Sequence, residues 1–112
     1  MGDFVMRRLR NKDIDDILSL WIEAFGDSEE VTRLFLRAIH IEKTGFGAFS
    51  PAGALASMMF LIPAELRVHE QIAPCRYVYA VATRKESRKK GLMRRLHAFA
   101  AEEARAEGAT AL

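Results

Sequence analysis

The chain has 112 residues, 50% hydrophobic and 29% charged, with a net charge of +2. That balance fits one globular domain and excludes general disorder and a polyelectrolyte that binds nucleic acid through overall charge. Cys75 is the single cysteine, so no internal disulfide can form, and a reducing, cytoplasmic setting is expected. No apolar run reaches membrane-spanning length, and "MGDFVM" lacks the basic-then-apolar order of a signal peptide.

In chain order, Phe4–Leu9 is expected as a first strand. From Asp13, apolar residues at Ile14, Ile17, Leu18, Trp21, Ile22 and Phe25 form one helical stripe that ends at Gly26. Asp27 with Glu30 has capping-box spacing, and Val31, Leu34, Phe35, Ala38 and Ile39 predict a second helix that fades near His40–Lys43. Trp21, Phe25 and Phe35 are expected in the core.

"FGAFS" and "ALASMMFLIPAELRV" flank the turn signal Ser50-Pro51-Ala52-Gly53 and predict an antiparallel hairpin. The second arm is apolar on both faces from Leu55 to Ile62, as in a central strand, and Pro63 predicts a bulge or kink. "RYVYAVAT" is the next strand, with Tyr77, Tyr79, Val81 and Thr83 on one face by alternation. Tyr77 and Tyr79 fit an acceptor site or ordinary packing equally well. Leu92, Leu96, Phe99 and Ala100 mark a third helix that stops at Gly108, and "ATAL" opens a last strand. The expected architecture is α/β: a mixed sheet with an antiparallel meander and a parallel strand–helix–strand unit.

Seven of the twelve residues from Arg84 to Arg95 are Lys or Arg, with Gly91 among them. The stretch lies between a strand end and a helix start, where unpaired N–H groups and the helix dipole favour anions. The Walker and GxGxxG patterns are absent. A solvated basic face and a nucleic-acid patch are the rival readings. The second is disfavoured because the stretch itself carries no aromatic residue for base stacking. His40, His69 and His97 have no partner at metal-ligand spacing, so no metal is expected. Cys75 is read as a packing residue.

The pattern that fits is Arg88-x-x-Gly91-x-Met93. With it, "VYAVATRKESRKKGLMRRLHAFAAEEARAEGATAL" resembles the acetyl-CoA-binding core of the GCN5-related N-acetyltransferases (GNAT). "RKKGLMRR" also resembles the basic variant of the "enhanced intracellular survival" branch. The resemblance implies an acyl-CoA N-acyltransferase-like fold, an acetyl-CoA cosubstrate and an amine acceptor. Arg88 and Gly91 would hold the motif's defining positions. The amides of Lys89, Lys90, Gly91, Leu92, Met93 and Arg94 would take the diphosphate, and Val81, Ala82 and Thr83 would pair with the pantetheine. The last motif position holds Met93 where the family has Gly or Ala. The family's acid is often a Tyr from a helix beyond the fifth strand, so no acid or base is assigned. On this reading the chain is the N-terminal, cofactor-binding part of a longer enzyme, truncated at the start of the fifth strand, or pairs with a second copy that covers the sheet edge. An inactive coenzyme A-binding module and a nucleic-acid-binding domain using residues 84–95 are the alternatives.

Overall fold

A computed structural model describes residues 3–68 and 70–107. Strand β1 (Val5–Arg8) leads through one tight helical turn into α1 (Ile14–Phe25), α2 (Glu29–Ile39) and the single turn α3 (Ile41–Thr44). Strands β2 (Gly45–Phe49), β3 (Leu55–Val68) and β4 (Gln71–Thr83) follow, then a second tight turn and α4 (Leu92–Ala106). The sheet order is β1-β2-β3-β4, antiparallel throughout. The predicted last strand, and with it the parallel pair, falls outside the described residues.

The apolar run in β3 follows from its place in the middle of three layers. Met58 and Phe60 face one core with Leu9, Ile17, Leu20, Trp21 and Leu36 beneath α1 and α2. Met59 and Leu61 face a second core with Phe46, Leu96, Ala100 and Ala104 beneath α4. A strand covered on both faces has no polar side to show. The helix formed by residues 92–106 thus buries the predicted face, with Phe99 only partly covered.

Five expectations are corrected. Ser28, not Asp27, caps α2, its hydroxyl accepting from the Val31 N–H at 3.2 Å. Asp27 instead accepts from the Trp21 indole N–H at 2.9 Å. The buried side of α2 is Thr32, Leu36 and Ile39, while Val31, Leu34 and Phe35 are exposed. Phe25 is exposed too, at 45%, and only Trp21 of the three expected core aromatics is buried. The apolar residues of α1 and α2 outnumber the positions that face the sheet, so some remain on the surface.

Pro63 makes no bulge: it pairs with Arg76 in register unbroken from Phe60–Tyr79 to Val68–Gln71. The pairing of β2 ends at Phe60, which leaves β3 an open edge where a missing N–H costs no ladder bond. The irregularity lies earlier. Met58 pairs with Ala82 but Phe60 pairs with Tyr79, so Ala80 and Val81 together stand opposite Met59. Ala80 takes a positive φ of 51° there. This extra residue shifts the alternation of β4, so that Tyr79 and Ala82 pack on the same core and the predicted single face is broken.

Candidate functional site

The bulge and the turn after β4 position the predicted site. Ser57 Oγ lies 3.1 Å from the Ala82 carbonyl oxygen and 2.9 Å from Thr83 Oγ1, which fixes the strand end to β3. The Arg84 N–H donates to the Ala56 carbonyl at 2.7 Å, and its Nε to the Leu55 carbonyl at 3.2 Å. Glu23 on α1 accepts from the Arg84 guanidinium at 3.2 Å and from the Lys85 N–H at 3.3 Å. These bonds, the Lys85 backbone one foremost, hold the Glu23 carboxyl below its ordinary pKa despite an opposing desolvation effect.

After Ser87 the chain turns through Lys89 (φ 67°) and Gly91 (φ 71°) into α4. A left-handed conformation is strained for most side chains and free of that strain for glycine. Nothing lies within 4 Å of where a Gly91 Cβ would stand, so the space above this backbone is open. An open depression of about 280 Å³ results, lined by Thr83, Ser87, Arg88, Lys89, Gly91, Leu92, Met93 and Arg94. The first-turn N–H groups of α4 have no intrahelical acceptor, and three cationic side chains surround the depression.

Most of the predicted site residues therefore come together here. Ala82 is buried upstream and Val81 sits 40% exposed on the outer strand of the described sheet. Lys90 leans away, its Nζ 5.7 Å from the Phe4 ring centroid. Ser87 was missed: it is buried and lines the floor, but its sequence neighbours marked only charge. Arg84 and Arg95 prove structural, with Arg95 forming a two-pronged pair with Asp3 at 3.0 and 3.1 Å. That pair lowers the Asp3 pKa, chiefly through the hydrogen bond.

The family model described as "Acetyltransferase (GNAT) domain" matches residues 5–112. The chain belongs to this family. Among solved structures, a GNAT family acetyltransferase from Staphylococcus aureus is 18% identical, with a TM-score of 0.75 over 98% of this chain and 84% of that one. A GCN5-related N-acetyltransferase from Kribbella flavida is 16% identical, with a TM-score of 0.85 over 96% of this chain and 28% of that one. An aminoglycoside antibiotic 6'-N-acetyltransferase from Acinetobacter baumannii is 16% identical, with a TM-score of 0.80 over 96% of this chain and 76% of that one. At such identities these likenesses show the fold. Among curated proteins the chain matches none.

As a GNAT N-acetyltransferase domain, the chain departs from the expected motif at one position, Met93. Its side chain packs against the core of Phe46, Met59 and Leu96. A long side chain is accommodated because it turns inward, and its backbone stays in the first helical turn beside Gly91. No helix among the described residues is long and apolar enough to cross a membrane, and those residues hold no cluster of three or more metal-ligating side chains.

Proposed function

We propose that this GNAT domain binds acetyl-CoA along the end of β4 and the turn into α4, and transfers its acetyl group directly to an amine. The observation that carries this reading is the Gly91 turn, which opens onto a depression edged by Arg88 of the motif and by Lys89 and Arg94 beside it. The first-turn amides of α4 and these side chains would hold the diphosphate. Val81, Ala82 and Thr83 would run beside the pantetheine and thioester.

In the reaction a neutral amine attacks the thioester carbonyl, a C–N bond forms, and the C–S bond breaks to release coenzyme A thiol. The bulge supports this chemistry. Two residues, Ala80 and Val81, oppose only Met59, so the ladder cannot satisfy every N–H there. A backbone N–H released in this way can stabilise a developing oxyanion. Proton transfer to the thiolate is required, and no side chain is assigned to it. The single cysteine supports a cytoplasmic setting.

Calorimetric titration with acetyl-CoA and with a short DNA duplex tests the assignment. Saturable acetyl-CoA binding that is lost in Gly91→Glu is expected. Salt-sensitive binding of the duplex alone would contradict it.

A further inference from the structure

On the α1 side of the bulge lies a second cavity, of about 230 Å³, lined by Trp21, Phe25, Asp27, Tyr79 and Ala80. Its rings form one assembly. Trp21 meets Phe25 edge-on at 5.4 Å and Tyr79 at 6.4 Å, while Phe35 stacks on Tyr79 at 5.3 Å with an interplanar angle of 11°. Phe25 is 45% exposed and Phe35 38%, so surplus apolar rings of α1 and α2 gather in one exposed patch at the cavity rather than lying scattered. Asp27 stands at the same cavity, held by the Trp21 indole N–H at 2.9 Å. A carboxylate has about four acceptor sites, so one indole bond leaves most of its capacity for a ligand.

We infer that this cavity receives the acceptor, and that the acceptor is a small monoamine carrying an aromatic or branched apolar group. The inference rests on the acetyl-transfer reading above. Aromatic faces attract an ammonium ion and also bury an apolar body. One carboxylate among the described lining residues balances one positive charge, whereas a polyamine would bring further charges among the rings. The size is compatible, because about 230 Å³ accommodates one ring and a short amine chain. The position agrees as well. Ala80 lines this cavity and Thr83 lines the Gly91 depression, so about 10 Å of strand separates them. An ammonium resting against Ala80, once it has released one proton to water, is thus within reach of a thioester laid beside Val81 and Ala82.

Trp21 is the only tryptophan, so its fluorescence reports on the cavity directly. Phenethylamine, phenethyltrimethylammonium, phenethyl alcohol and spermidine serve as probes, with the wild-type chain and with Asp27→Asn and Phe25→Ala. Asparagine retains a carbonyl for the indole N–H and removes only the charge. Both aromatic cations should change the emission saturably, about tenfold more tightly than the alcohol or spermidine. Each variant should weaken them about tenfold while leaving coenzyme A affinity unchanged. Equal or tighter binding of spermidine or the alcohol, no saturable change, or an unaltered response in Asp27→Asn would overturn the inference. A coenzyme A titration on the same samples separates the two claims. Lost coenzyme A binding with an intact amine response refutes the acetyl-CoA reading alone, and the reverse pattern refutes the amine pocket alone.

Discussion

At the residue scale, Gly91 separates two effects of one side chain. Its φ of 71° strains any replacement, while the open space above it leaves a methyl group unopposed. Gly91→Ala is therefore expected to cost about 1 kcal/mol of stability, readable in urea denaturation, with acetyl-CoA affinity reduced only severalfold. Gly91→Glu adds a negative charge where the diphosphate would rest and should reduce affinity by more than about tenfold. Equal affinities for the two variants in calorimetry would separate the anion from this turn. Glu23 acts at one remove, since it ties Arg84 and the Lys85 N–H to α1. Glu23→Ala should weaken acetyl-CoA binding modestly and raise backbone exchange at residues 84–87, with kcat less affected than KM.

At the element scale, β1 and the start of α1 depend on one carboxylate. Buried Asp13 accepts from the Nη1 and Nη2 groups of Arg7, at 2.9 and 3.0 Å, and from the Arg10 N–H at 2.8 Å. These bonds, led by the Arg7 pair, outweigh desolvation and lower its pKa. A carboxylate with a lowered folded pKa stabilises the protein above its unfolded pKa, about 3.9, and loses that effect as pH falls through the folded value. Asp13→Asn should cost about 1–3 kcal/mol at pH 7. The gap from wild type should narrow below about pH 4 in denaturant titrations. In β2, a Cβ on Gly47 would meet side-chain atoms of Leu9, Leu55 and Phe49 at 2.7 to 2.9 Å. Gly47→Ala is expected to destabilise by about 1–3 kcal/mol in the same assay.

The elements that sequence placed well are those with a strong period or a decisive turn. The α1 helix and its stop at Gly26, the Ser50–Gly53 turn and the doubly buried β3 stand as read, although Ile22 and Phe25 of the α1 stripe lie exposed. The bulge at Ala80 was not legible, because "VYAVAT" alternates smoothly and the extra residue arises from pairing with β3. The α2 face misled for a related reason. Its apolar stripe is real, but the sheet meets the neighbouring side of the helix. The charge of residues 84–95 drew attention to the Gly91 turn but did not separate its roles, since Arg84 and Arg95 are ion-paired within the fold. The aromatic cavity joins α1 to β4 across the chain, a proximity that no local pattern carries.

At the scale of the whole molecule, two cores on opposite faces of one sheet bring the end of β4 between α1 and α4. A chain with a net charge of only +2 thus gathers three cationic side chains around one depression: the folding of one strand-to-helix turn, not bulk charge, brings them together. The proposed acceptor cavity and the proposed cofactor depression flank the same short piece of β4. A coenzyme A diphosphate held at the Gly91 turn would accept hydrogen bonds from the amides of residues 89–94. Hydrogen exchange at single amides, with and without coenzyme A, tests this directly. Slowed exchange concentrated at residues 89–94, and abolished in Gly91→Glu, is the predicted result. Protection elsewhere, with those amides unchanged in the presence of saturating ligand, would contradict it.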